Sequence, residues 1–497
     1  ALQEADNWTS LDNQVEDAFD SNDHEAVAQK IVGMGQSLRL LHHVADYQDR
    51  VSHLEQHKNR LEATLSPLLI TAFTIKDTEA ALRLVKMFRT IERDKQLSKY
   101  YHKCVRAGLL QSWAEIVGGE GEGAEHWLDV WYTELTAELA SNKTWVETVF
   151  SDQSSPELMC DLVTDVLAAL QPSPQFCIEA AVKLTEDELG LLILLRTRTD
   201  KFLASIEPIV VGAADKRLRE LGKVVYKPFQ VHVTRYEELE VKMMGSEVSS
   251  WIVEKKDTID ELHSFGVEAA ASRCVALTRG AAFPGLVAAI GRVLGTHLDR
   301  YRKMTRRLEK KKVIVDDDWS VLQHCLTANQ MTGELIMMLE QLDITVASTF
   351  LDASRGYLGQ DSSESPLHQH HVFMLERSED IMALNDLYMK VTSNESTTAS
   401  ILHDSMTTLS GVCSELQKTT FSVMFHPVST QMEVIPGLNT WLSRTSGQSS
   451  VDTADMPEFS LSPSEYITCV GEYLMTLPQH LEPVMSVDSP ALVRALR

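Results

Sequence analysis

Apolar residues recur every three or four positions along most of the chain, the spacing that places them on one face of a helix. From Tyr47 they run Tyr47, Val51, Leu54, Lys58, Leu61, Leu65 and Leu68, a heptad seam with one lysine in it. Lys58 fits such a seam if its stem lies on apolar surface while its ammonium reaches water. Ser66-Pro67 interrupts the pattern. Pro after a Ser N-cap opens a helix, so the spacing predicts one helix ending near Leu65 and a second from Pro67 to about Ile75. Further helices are predicted from Asp77, with Ala81, Leu84, Val85 and Phe88 on one face, and through Leu97, Tyr101, Cys104, Val105 and Leu109.

Helical spacing resumes after the glycine-rich stretch 118–123, over Trp127–Phe150, Pro156–Leu170 and Leu184–Ala204. The stretch VVYKPFQVHVTRYEELE (224–240) differs. Val231 and Val233 alternate around His232 and Pro228 forbids a continuing helix, which predicts an extended connector, strand-like at 229–233, between two helical layers. After Pro284, Leu286, Ile290, Val293, His297, Tyr301, Met304 and Leu308 keep helical spacing, and Cys325 to Val346 gives another helix. Two polar, turn-rich stretches, 356–371 and 445–460, are expected to be mobile linkers around helices from Val372 to Leu442. The last helix is expected to open with the capping box Ser462-Pro463-Ser464-Glu465, to bury Tyr466, Ile467, Val470, Tyr473, Leu474 and Leu477, and to stop at Pro478.

These elements imply an all-α chain, an elongated array of consecutive irregular helical bundles. No fixed period of solenoid length recurs. The segments expected are 1–117 with the heptad seam, a bundle at 125–222, a bundle at 235–352 with a long basic-ended helix, a hairpin or bundle at 372–443, and the start of a C-terminal helical region at 461–497.

Composition changes this picture in three respects. The 497 residues carry a net charge of −25, which argues against nucleic acid as the main partner. No apolar run is long enough to span a bilayer. The seven cysteines form no C-x-x-C pair, so thiols are expected to be reduced and buried, with neither a zinc cluster nor a disulfide framework. The chain opens without Met, on ALQEADNW, and ends within a pattern at ALVRALR; it reads as a piece of a longer protein.

Candidate chemistry is sparse. His53 and His57 stand four apart on one helix face, a metal spacing, but Glu55 is one position late for the H-E-x-x-H base, so a polar helix face is the preferred reading. His368, His370 and His371 cluster without a Cys or a framing carboxylate. Glu120 and Glu122 interleave the glycines of 118–123, where carboxylates would repel phosphate. His403-Asp404 is an isolated dipeptide, and neither G-x-S-x-G nor a Walker A sequence occurs. No catalytic residue, cofactor or metal is expected. The marked charge feature is Arg300, Arg302, Lys303, Arg306, Arg307, Lys310, Lys311 and Lys312, eight cations in 13 residues of an acidic chain. They suit a solvated helix C-terminus, or contact with an acidic partner or an anionic membrane. The solvated face comes first, because Asp316, Asp317 and Asp318 are near enough in sequence to pair with part of it.

The stretches ALQEADNW, VSHLEQHKNRLEATLSPLLITAF, YYHKC followed by LLQSWAE, YKPFQ followed by YEELE, and SPSEYITCVGEYLMTLPQHLEPV resemble, in order and along the whole chain, the subunit 7 family of the conserved oligomeric Golgi complex. That resemblance implies a helical-rod tethering protein with no catalytic residue. It implies a scaffold in a complex that captures vesicles recycling within the Golgi and so keeps glycosylation enzymes in place. The implied partners are sister subunits 5, 6 and 8, and vesicle-trafficking proteins; the implied location is the cytosolic face of the Golgi membrane, peripherally, and the cytosol. Two other readings stay open: a free-standing helical adaptor for a partner helix or peptide, and a helical metal-dependent hydrolase.

Overall fold

In the computed structural model of the 497-residue chain, the described residues are 2–41, 43–119, 124–150, 155–254, 267–310, 319–358, 366–369, 373–392, 400–437 and 463–485. Among them the architecture is all-α, as the periodicity predicts, with no strand. The helices are α1 Leu2–Asp20, α2 His24–Leu40, α3 Tyr47–Thr74, α4 Thr78–Thr90, α5 Asp94–Gly118, α6 Ala124–Phe150, α7 Ser155–Ala169, α8 Pro174–Leu184, α9 Glu188–Val210 and α10 Asp215–Thr234. They continue as α11 Tyr236–Glu254, α12 Val267–Thr278, α13 Phe283–Lys310, α14 Ser320–Leu358, α15 Ser378–Thr392, α16 His403–Glu433 and α17 Glu465–Met485.

The first helices are cut by turn chemistry that involves no glycine. Asn22, Lys76 and Glu92 take positive φ of 57°, 56° and 60°. Each turn closes with an amide donating back across the helix end, Asp23 to Ala18, Asp77 to Ala72 and Arg93 to Phe88. Asp23 and Asp77 then cap the next helices, accepting from the amides of Ala26 and Ala80 at 3.0 and 3.1 Å. Ser173 and Asp187 cap α8 and α9 in the same way.

Several helices run through prolines. α3 does not break at Pro67. Proline removes the amide that Ala63 C=O would accept, and the Ser66 hydroxyl donates to that carbonyl at 3.4 Å. The seam then shifts: Leu65, Leu69, Ala72 and Phe73 are buried, while Leu68 is exposed. The extended connector expected at 224–240 is also helical. α10 carries Pro228 in its interior and buries Val225, Tyr226, Phe229, His232 and Val233 at helical spacing, and this packing outweighs the lost hydrogen bond.

The chain divides into two units, Ala1–Val233 with Ser362–Glu376, and Thr234–Asp361 with Arg377–Arg497. In the first, α3 is packed by α2, α4 and α5, and α6 by α9. Trp113 is buried edge-on against Trp127 and Trp131, at 5.4 and 5.5 Å, and its indole N–H donates to Pro172 C=O at 2.9 Å. Arg196 is wholly buried, paired with Asp200 and lying 4.1 Å over the Tyr226 ring. The Tyr226 hydroxyl donates to Asp200 at 2.9 Å, so the charge pair is closed by a third group. Within this unit a later segment returns to pack on α10. Phe373 stacks on Tyr226 at 6.0 Å, and Gln230 donates to Phe373 C=O at 2.7 Å. A Cβ at Gly222 would lie 2.5 Å from the Phe373 ring, so only glycine fits there. Leu367, in the 3-10 turn Pro366–His368, is buried as well. The stretch 356–371, expected to be a mobile polar linker, therefore carries a buried apolar residue, and its first residues, 356–358, are the last of α14. Residues 359–365, 370 and 371 of that stretch, and all of 445–460, lie outside the described residues.

In the second unit, α11 packs on α13, α12 on α14, and α16 on both α13 and α14. Its buried charge is Glu240, which accepts from Arg273 Nε at 3.1 Å and from the Tyr236 hydroxyl at 2.8 Å. Leu402 cannot cap α16 with its side chain; Asp343 of α14 accepts its amide at 2.8 Å instead.

Candidate functional site

Three surfaces of the described residues bear on function. The first is the basic end of α13. Leu286, Ile290, Val293, Leu294 and Leu298 form the buried stripe of this helix. Arg302, Lys303, Arg306, Arg307 and Lys310 lie in its last turns, at spacings that share one face over about 12 Å of axis. Lys303, Arg306, Arg307 and Lys310 are exposed, and Arg302 is half-buried. Among the described residues, only Arg302 of these five has a carboxylate partner, Asp299 at 3.2 Å. Arg300 belongs to the helix, but its side chain is outside the described set, as are those of Tyr301, Met304 and Leu308. Lys311, Lys312 and the acidic triplet 316–318 lie outside the described residues altogether. The arrangement offers monovalent cations to an anionic surface and holds nothing that does covalent chemistry.

The second surface is α17. It starts at Glu465, with Ser464 C=O accepting the amides of Ile467 and Thr468, two residues later than the expected capping box. It continues through Pro478, a residue on its exposed side, where water can solvate the carbonyl left without an amide. Tyr473, Leu477 and Leu481 pack with Trp319, Leu322, Cys325, Leu326 and Val423. The Tyr473 hydroxyl donates to Met424 C=O at 2.6 Å, and its ring stacks on Trp319 at 5.1 Å. Ile467 and Leu474, expected in the core, are 49% and 45% exposed, and Met475 is 79% exposed. The reason is that, among the described residues, α17 packs mainly against α16 and α14, which cover one side of it. Its other apolar side is open, and α16 likewise exposes Phe421 and Phe425.

The third surface joins α1 to α3. His53 and His57 do share a face, and Asp12 of α1 lies against both, with His53 Nε2 at 2.9 Å and His57 Nε2 at 2.7 Å from Asp12 Oδ1. Asp12 is 41 residues from His53, and no local spacing could have announced it. Lys58 beside them is not solvated as expected: its ammonium is 2.9 Å from Glu92 and 3.6 Å from Glu55. The hydrogen bond and charge of Lys58 hold the Glu92 carboxyl below its ordinary value.

The other sequence candidates form no ligand cluster among the described residues. His403 and Asp404 are exposed in the first turn of α16, with no third ligand among the described residues. Gly118 ends α5, and 120–123 lie outside the described residues, as do His370, His371 and the His368 side chain. All seven cysteines are thiols outside any disulfide. Burial pushes the thiols of Cys160 and Cys325 up to about 11 and that of Cys274 up to about 12, so these are packing groups rather than nucleophiles. Cys469 departs from the expected burial, because it lies on the open side of α17.

No helix among the described residues is long and apolar enough to cross a membrane. The family model for Golgi complex component 7 (COG7) matches residues 1–497. The chain is 28% identical to Conserved oligomeric Golgi complex subunit 7 of Mus musculus, covering 100% of this chain and 69% of the relative. It is 27% identical to the Homo sapiens protein of that name with the same coverage, and 24% identical to that of Drosophila melanogaster, covering 100% of this chain and 68% of the relative.

Proposed function

The chain belongs to the Golgi complex component 7 family, and we propose that it is a scaffold subunit of a Golgi vesicle-tethering complex that catalyses nothing itself. The observation that carries this reading is the family match over residues 1–497. Its partners are other subunits of the conserved oligomeric Golgi complex, with subunits 5, 6 and 8 as direct neighbours. It acts in retrograde transport within the Golgi and so in keeping glycosylation enzymes in place. It works peripherally, at the cytosolic face of the Golgi membrane.

Two surface features support this reading. The open apolar face of α17, with Ile467, Leu474 and Met475, suits a helix of a sister subunit, because burying such side chains contributes about 1.5–3 kcal/mol each. The basic stripe Arg302–Lys310 suits an anionic bilayer, at about 1 kcal/mol per cation near the surface. The test is affinity purification of the tagged chain from cells, followed by size-exclusion. Co-elution with sister subunits, well above the mass of a single 497-residue chain, is expected. Elution at the mass of the single chain would favour a free-standing adaptor. Flotation with acidic liposomes tests the stripe. Changing Arg302, Lys303, Arg306 and Arg307 to Glu should abolish flotation, and flotation of the original chain should weaken with salt, since screening acts beyond about 8 Å at physiological ionic strength.

A further inference from the structure

We propose that Asp12, His53 and His57 bind one transition-metal ion of the zinc type, which staples α1 to α3. One turn of α3 separates the two imidazoles, whose rings lie 4.5 Å apart and nearly perpendicular at 75°. The three donor atoms lie within 4.8 Å of one another. Zinc bonds of about 2.0–2.2 Å set tetrahedral ligands about 3.3 Å apart, so the two distances from Asp12 Oδ1 to the imidazole nitrogens, 2.9 and 2.7 Å, must widen by a few tenths of an ångström to admit the ion. His53 is 46% exposed and Asp12 30% exposed at the side chain, and both have room to give it.

Both Nε2 atoms aim at a single oxygen, Asp12 Oδ1. An ion bound there takes both Nε2 lone pairs and the Asp12 carboxylate, which leaves the proton of each neutral ring on Nδ1. Glu16 Oε1 stands 3.8 Å from His57 Nδ1, beyond direct hydrogen-bond distance but close enough for its charge to favour that arrangement. Glu16 is held in turn by Arg60, at 2.8 Å. The His57 ring is further fixed by Phe19, stacked at 6.2 Å, and by the Arg60 guanidinium 4.1 Å over Phe19. With its side chain only 5% exposed, His57 is positioned before any ion arrives. Two imidazoles and one carboxylate select zinc-type ions over calcium or magnesium, which take oxygen donors, and leave a fourth position for water.

The experiment is calorimetric titration of chelator-stripped, full-length chain with Zn2+ at pH 7.4 and pH 5.5, alongside thermal unfolding. One saturable ion per chain is expected, with a rise in Tm and weaker binding at the lower pH, because the ion displaces protons. His53→Ala, a change at a half-exposed residue that keeps the fold, should weaken binding at least tenfold, as should Asp12→Asn. Glu16→Gln should weaken it by about tenfold through the outer partner. His403→Ala, at an exposed histidine elsewhere, should change nothing. Absence of one-to-one binding overturns the proposal. So does binding that His53→Ala and Asp12→Asn both leave intact, or that His403→Ala removes.

Discussion

Helices α3 and α17 both carry an apolar stripe at three-four spacing and both run through an internal proline, yet α3 buries Leu54, Leu61, Leu65 and Leu69 while α17 leaves Ile467, Leu474 and Met475 in solvent. Periodicity defines a face, not what covers it. α3 is packed by α2, α4 and α5, on several sides. α17 is packed by α16 and α14, on one. An amphipathic helix packed on one side therefore leaves part of its stripe in solvent, and in the proposed assembly that part is the face offered to a sister subunit.

The comparison breaks most directly by truncating one leucine in each helix. Leu61 is fully buried, so Leu61→Ala should cost about 2–5 kcal/mol, from lost transfer energy plus the cavity left behind. Leu474→Ala should stay within about 0.5 kcal/mol, as exposed substitutions do. Denaturant unfolding of the two variants decides it. Equal costs would mean that α17 is covered in the isolated chain after all. A charged change, Leu474→Asp, should then leave the isolated chain folded and lower recovery of sister subunits.

A smaller effect sharpens the comparison from the side of α17. Its anchor is Tyr473, stacked on Trp319 and hydrogen-bonded to Met424 C=O. That carbonyl lies in the turn before Pro427, next to Val423 C=O, the one that proline leaves without an amide. Tyr473→Phe keeps the ring and removes the donor, and should cost about 1 kcal/mol. Faster amide exchange in α17 than in α3 would accompany it. A change that leaves α17 exchange unaltered would show that the ring alone holds the helix.

Much of the helical fold was legible because burial repeats with the helix period, as in Leu84, Val85 and Phe88 of α4. Boundaries were less so. Lys76 and Glu92 make left-handed turns usually given to glycine, and neither residue announces such a turn. Pro67, Pro228 and Pro478 read as breaks and were carried inside helices, because tertiary packing and local carbonyl partners outweigh a single lost amide. The basic end of α13 was legible as a run of like charges. The Asp12–His53–His57 cluster was only half legible: the helix spacing set the two histidines together, and only the fold could bring α1 to them.

The smallest expected effect concerns Lys58, a cation inside the seam of the buried helix. It is tolerated because Glu92 reaches over from its left-handed turn to accept from it at 2.9 Å. The Lys58 hydrogen bond and charge depress the Glu92 pKa in the fold below its ordinary 4.5. A carboxyl depressed in the folded state adds stability above its unfolded pKa, and that stability is lost as pH falls through the folded value. Glu92 is two-thirds exposed, so solvent screening keeps the contribution below about 1 kcal/mol. Glu92→Gln should therefore be slightly less stable than the original chain at pH 7. The gap should narrow as pH drops below 4.5 and vanish below the folded pKa, where both chains are neutral at this position. Glu55, 3.6 Å from the Lys58 ammonium, takes up part of the loss at pH 7. Thermal unfolding at a series of pH values reads this directly. A gap that persisted unchanged to low pH would show that Glu92 acts through its left-handed turn rather than through its charge, and the lysine in the α3 seam would then owe its place to the exposed Glu55 alone.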